Sequence, residues 1–125
     1  MTHADLPDIL QSIKQEKFMD GFKLDNLLTR EQWSNVLGIS RETIRRWELH
    51  IIQNVSPIRS EYFNIHRMRS PYLDAYQRFL LTLIYVVKGG LEKRSLPHKT
   101  AIDFLKINFI NLKREYFEQW RNSDE

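Results

Sequence analysis

Apolar residues recur at helical spacing from the start of the chain, where Leu6, Ile9, Leu10 and Ile13 follow Asp5 as the N-cap candidate and Pro7 fits the first turn. This predicts a helix of about three turns. Phe18 to Leu28 mixes Phe18, Met19, Phe22, Leu24, Leu27 and Leu28 with Asp20-Gly21 and Asp25-Asn26, which reads as a turn-containing connector that still packs. Thr29 and Gln32 form a capping-box pattern ahead of the stripe Trp33, Val36 and Leu37, a short helix that Gly38 ends. Ile39 plugs the corner, and Ser40 caps a second helix. There Ile44 and Trp47 share one face, while Arg41, Glu42, Arg45 and Arg46 occupy another.

Two short helices joined by a three- to four-residue turn containing Gly, the second with a polar N-terminal half, match a helix-turn-helix unit whose second helix can enter a major groove. After Trp47 the period changes. Ile51-Ile52 and Val55 lead to Ser56-Pro57, and Tyr62, Phe63 and Ile65 precede Arg67-Met68-Arg69, which predicts two short strands around a loop, in the place of a wing. Ser70 as cap and Pro71 at the first helical position predict a long helix to about Lys88, bearing Leu73, Tyr76, Phe79, Leu80, Leu83, Ile84 and Val87. Gly89-Gly90 ends it. Leu96 or Pro97 opens another helix with Ile102, Leu105 and Phe109, and residues 107–121 either continue it or form a separate one.

At 125 residues, with no linker composition, the chain is expected to be a single domain: a helical extension at 1–28, the helix-turn-helix and wing at 29–69, and C-terminal helices at 70–125. The longest nearly apolar run, Phe79 to Val87, is far below the ~20 residues that span a bilayer, and the start lacks a signal-peptide pattern. The absence of cysteine excludes disulfides, thiolate zinc sites and cysteine nucleophiles, and a cytoplasmic, nucleoid-associated location is expected. His3, His50, His66 and His98 lack helical metal-ligand spacing. With no nucleophile elbow, paired carboxylates, phosphate-cradling loop or dinucleotide motif, neither an enzyme nor a metal or cofactor is expected.

The net charge of +3 is mild, but its distribution is uneven: residues 1–29 carry −2, residues 30–100 carry +6 and residues 101–125 carry −1. Within the middle segment arginine outnumbers lysine nine to three. A planar guanidinium suits phosphates and guanine edges better than a point-charge ammonium does.

The run Val36-Leu37-Gly38-Ile39-Ser40-Arg41-Glu42-Thr43-Ile44-Arg45-Arg46-Trp47-Glu48 resembles the DNA-binding core of MerR-type winged helix-turn-helix regulators, with a small-residue corner, a Ser cap, Thr-Ile-Arg, an aromatic and Glu. Arg67-Met68-Arg69-Ser70 is similar to the end of that family's wing, and Arg78-Phe79-Leu80 to a triplet in its next helix, so the likeness covers roughly residues 29–105. Arg69 stands where the family has an aromatic, His50-Ile51-Ile52 replaces Gly-Leu, and the first 28 residues have no counterpart. The resemblance implies a mainly α fold, a winged helix-turn-helix with a small two-stranded wing and extra N- and C-terminal helices. It extends to the DNA-binding half and not to an effector-sensing half.

The candidate interface follows. Arg41, Arg45 and Arg46 take the groove side of the second helix. Ser40 and the first helical amides hold a phosphate, Glu42 accepts from cytosine, and Thr43 touches a thymine methyl or a phosphate. Arg59, Arg67 and Arg69 are the wing contacts. Trp33, Trp47 and Trp120 are expected in the core, and Glu48 either pairs with an arginine inside the protein or serves function. The partner is expected to be double-stranded DNA bound by a homodimer, with residues 107–121 or the first helix as dimer surface, in a transcription regulator. The alternatives are an interaction adaptor facing an acidic protein, or an excisionase-like or plasmid-maintenance DNA-binding protein.

Overall fold

The computed structural model describes residues 5–23, 25–63 and 70–123, apart from the side chain of Lys17. The described chain is mainly helical. α1 (Leu6–Lys14), α2 (Asp20–Lys23), α3 (Arg30–Leu37), α4 (Arg41–His50) and α5 (Ser56–Tyr62) precede α6 (Ala75–Val87), α7 (His98–Asn108) and α8 (Arg114–Arg121). Single 3-10 turns lie at Lys17–Met19, Ile52–Asn54, Gly90–Glu92 and Phe109–Leu112. The strands β1 (Leu28–Thr29) and β2 (Tyr72–Leu73) pair antiparallel, Leu28 opposite Leu73 and Thr29 opposite Tyr72.

α6 is the axis of the core, since every residue from Ala75 to Ile84 is buried. A helix buried on all sides must bring its own polar groups to partners. Gln77 donates to the Tyr62 carbonyl at 2.9 Å, and Thr82 donates to its own helix while accepting from the Trp33 indole at 3.2 Å. Arg78, with none of its surface exposed, donates to the carbonyls of Gly21, Asn26 and Leu73 at 2.8–3.0 Å and lies 5.8 Å from the Trp33 ring centroid. It ties α2 and the connector before β1 to the end of β2. Around α6, Phe22, Phe79, Phe117 and Trp120 form an edge-to-face and tilted cluster with centroids 4.9–6.4 Å apart, the geometry that aromatic quadrupoles favour.

Several expected elements form as read. Asp5 caps α1 and the Thr29–Gln32 box closes at both ends. Gly38 takes a left-handed conformation at φ 75°, so α3 stops there, and Ile39 returns its amide to the Ser34 carbonyl at 3.0 Å. Residues 38–40 therefore form a three-residue turn between α3 and α4. Trp33 and Trp47 are buried, while Trp120 is half-buried. The apolar face of α1, Leu6, Ile9 and Ile13, is buried within the chain and is not a free dimer surface. At the C-terminal end, extended Lys113 separates α8 from α7, and Glu61 accepts from the first amide of α8 at 2.7 Å.

Two expectations are corrected. The stretch read as the first wing strand and its loop is helical: Val55, Ile58 and Tyr62 fall at i, i+3 and i+7 on one buried face, and Pro57 suits a first turn. The remainder of the expected wing, residues 64–69, lies outside the described residues. The sheet that does form closes the two ends of the segment from Arg30 to Pro71, rather than making a hairpin beside α4. The helix expected from Ser70 starts instead at Ala75, because Asp74 and Gln77 complete a capping box at 2.8 and 2.9 Å. Ser70 and Pro71 are held by Arg30, whose side chain donates to the Ser70 carbonyl and whose amide bonds the Pro71 carbonyl at 3.1 Å.

Two glycine substitutions separate packing from backbone conformation. A Cβ on Gly21 would meet the buried Trp33 ring at 2.6 Å, whereas one on Gly38 meets nothing but must hold φ 75°. In urea denaturation Gly21→Ala is expected to destabilise by about 1–3 kcal/mol through overpacking. Gly38→Ala is expected to cost about 1 kcal/mol through its left-handed backbone. No loss in Gly21→Ala contradicts the Trp33 packing.

Candidate nucleic-acid interface

The turn at residues 38–40 gives α4 its start. Ser40 is extended, and its hydroxyl accepts from the Thr43 amide at 3.1 Å and meets the Thr43 hydroxyl at 2.9 Å. Arg46 in turn donates to that Thr43 hydroxyl at 3.3 Å, so Ser40, Thr43 and Arg46 form a surface chain along one side of the helix. Ile44 and Trp47 anchor the opposite side in the core.

On the outward side lie Arg41, Glu42, Arg45, Arg46 and Leu49, at i, i+1, i+4, i+5 and i+8. Arg41 and Glu42 keep 60% and 74% of their side-chain surface exposed and stand 3.7 Å apart. An exposed pair at that separation contributes little, so either group can exchange its partner for a ligand. Of these outward residues, Arg41, Glu42, Arg45 and Leu49, together with Thr29, Arg30, Glu31 and Pro71, line a depression between the first turn of α3 and α4. Arg45 is 39% exposed and bonds Glu48 at 3.2 Å, so it starts from a held position at the edge of the depression.

Glu48 faces inward with 1% of its side chain exposed. Arg30 of α3 grips it with two parallel bonds of 2.8 Å, and the Tyr62 hydroxyl of α5 donates to it at 2.6 Å. Three helices thus meet on one carboxylate. Burial pulls the Arg30 guanidinium down, but the bonds and charge of Glu48 outweigh it and hold the group above its ordinary value. Burial, then the adjacent Glu48 charge, pushes the Tyr62 phenol well up. The orientation of α4 against α3 and α5, and with it the aim of Arg41, Arg45 and Arg46, follows from this contact.

The expected site residues therefore fall into three groups. Ser40, Arg41, Glu42, Thr43, Arg45 and Arg46 come together on one end and one face of α4. Arg59 does not stand on a wing: it is exposed on α5, where it donates to the Gln53 carbonyl at 3.0 Å and the Ser56 hydroxyl at 3.3 Å. Arg67 and Arg69 lie outside the described residues. Of the arginines that make the middle of the chain basic, Arg30 and Arg78 are internal fasteners and offer no surface charge. Sequence reading missed a further group, His50, Lys88 and His98, which the fold brings beside Arg46. The two histidines stand 48 positions apart, so no spacing rule could have joined them. Among the described residues, no cluster of three or more His, Cys, Asp or Glu is arranged to hold a metal ion.

No protein-family model, curated protein or solved structure matches the chain. Its functional reading rests on its own residues.

Removing the shared carboxylate tests the anchoring of α4. Glu48→Ala leaves Arg30 buried without its counter-charge and is expected to destabilise by about 3–5 kcal/mol. Tyr62→Phe deletes one charge-assisted bond and is expected to cost about 1.5–3 kcal/mol. Both are read from urea transitions; near-wild-type stability in Glu48→Ala contradicts the network.

Proposed function

We propose that this chain binds double-stranded DNA, with α3, the turn at 38–40 and α4 acting as a helix-turn-helix unit and α4 as its recognition helix. The observation that carries the reading is the outward face of α4. Arg41, Arg45 and Arg46 project from a helix whose other side is pinned by Ile44, Trp47 and Glu48, with Ser40 and the first amides at its N-terminus. Phosphate neutralisation by such arginines supplies sequence-independent affinity, and Glu42 and Thr43 supply candidate base contacts. The resemblance of residues 36–48 to MerR-type regulators supports the same assignment and leads to a transcription regulator as the cellular role. The wing is no part of the proposal as first expected, because residues 56–62 form a helix.

A second copy completes the reading. A single short recognition helix spans few base pairs, and two copies on paired half-sites double the contacts. Ile107 at the end of α7 and Ile110 in the 3-10 turn that leads to α8 are 80% and 56% exposed, and Tyr116 on α8 is exposed beyond them. This segment, rather than α1, is the face proposed for the second copy.

Fluorescence anisotropy on a short random-sequence duplex tests the proposal. Between about 50 mM and 200 mM salt, log K is expected to fall linearly with log salt concentration. The joint variant Arg41→Ala, Arg45→Ala, Arg46→Ala is expected to make the slope shallower by about 0.9 for each phosphate that it leaves without a counter-charge. Absence of duplex affinity at low salt, or an unchanged slope in the variant, overturns the reading and favours an interaction adaptor.

A further inference from the structure

The corner where α4 ends and α7 begins gathers four nitrogen-bearing side chains. The His50 and His98 rings lie nearly parallel, 12° apart in plane with centroids at 6.3 Å. Lys88, which follows α6 and is 7% exposed, donates to the Leu96 carbonyl and stands 3.1 Å from His98 Nδ1. An ammonium offers only donors, so Nδ1 accepts and the neutral ring carries its proton on Nε2. Arg46, one turn before His50 on α4, adds its charge to the same corner. Among the described residues, no carboxylate pairs with Arg46, His50, Lys88 or His98.

Several basic groups elsewhere in the molecule have a carboxylate partner: Arg30 has Glu48, Arg114 has Asp74, Arg121 has Asp25 and Glu118, and Lys99 has Asp103. Here a buried lysine, two imidazoles and an arginine converge on one another. The cost is visible in the bases themselves. Burial pulls the Lys88 ammonium below its ordinary value. Burial, then the charges of Lys88, His50 and Arg46, pull His98 down from 6.5. An anion placed against the corner removes that cost, and an anion of the right kind is at hand if α4 enters a groove, since Arg46 and His50 lie on the same helix.

We propose that Arg46, His50 and His98, backed by Lys88, form a seat for a backbone phosphate of the duplex beside the groove that α4 enters, and that its hold on the phosphate strengthens as the His98 imidazole takes up a proton. The inference rests on the DNA-binding reading and adds to it a second contact, from α7, and a dependence on pH. In the free protein Lys88 occupies His98 Nδ1 and the neighbouring charges oppose an imidazolium. A phosphate reverses the balance, so the bound state holds more protons than the free state. By linkage, affinity rises as pH falls through the bound-state value, which the phosphate raises, and levels off below the free-state value, which lies under 6.5. The groups facing His98 are Lys88 from the end of α6 and His50 and Arg46 from α4, all cationic or able to become so.

The experiment measures duplex anisotropy from about pH 8 to about pH 5.5 at fixed salt, with histidine titrations by NMR in the free protein, with duplex and with inorganic phosphate. Wild-type affinity is expected to increase on acidification by up to about tenfold per pH unit for each proton taken up. His98→Gln is expected to flatten that increase relative to its own alkaline affinity, His50→Gln is expected to weaken duplex binding, and the His98 titration is expected to move up on adding duplex. Duplex binding whose acid gain persists undiminished in His98→Gln, or a His98 titration indifferent to duplex, overturns the seat and leaves the α4 reading standing. A response to inorganic phosphate but not to duplex assigns the corner to free phosphate and likewise overturns it. Absence of duplex binding at every pH is instead the failure of the DNA-binding reading itself.

Discussion

A carboxylate with 1% of its surface exposed is stable only where its oxygens meet donors, and Glu48 meets them from Arg30, Arg45 and Tyr62. That requirement organises the half of the molecule around α4. Because Arg30 opens α3 and Tyr62 closes α5, satisfying one side chain sets the positions of three helices at once. Arg30 also reaches the Ser70 and Pro71 carbonyls, which draws the chain back to pair β2 with β1. A hydrophobic contact at the same place would hold the helices together with less angular definition, since it lacks the fixed fork of two parallel bonds.

Charge is divided between two tasks. Arg30, Arg78, Arg114 and Arg121 serve as internal fasteners, bonding carboxylates or carbonyls of other elements. Their positive charge contributes to the net balance without contributing a binding surface. Arg41 and Arg46 have no such partner within the core, and Arg45 stands between, half-exposed and tied to Glu48. The basic excess of the middle segment is therefore a poor measure of what a nucleic acid would meet. The face of α4 and the corner at His98 are the better measure, because they combine exposure or unmatched charge with a fixed backbone.

Local chemistry made much of the fold readable in advance. Asp5, the Thr29–Gln32 box, Gly38 and Ser40 act within one or two turns of themselves, and each appears where the sequence placed it. The same locality explains the two misreadings near Pro57 and Ser70. Val55, Ile58 and Tyr62 carry a helical period, but neighbouring apolar residues mask it as alternation. Ser70-Pro71 is a sound helix start that lost to Asp74–Gln77 once Arg30 had engaged its carbonyls.

Caps, corner glycine and the two-sided pattern of α4 lay in the order of residues, because hydrogen bonds and side-chain faces separated by three or four positions need no distant partner. Which arginines turn inward was settled only by folding: Arg30 and Arg41 are alike as residues, and they differ because a carboxylate 18 positions away reaches one and solvent surrounds the other. The meeting of His50, Lys88 and His98 belongs to the same class, since it arises where three separately formed helices pack and leaves no periodic trace along the chain.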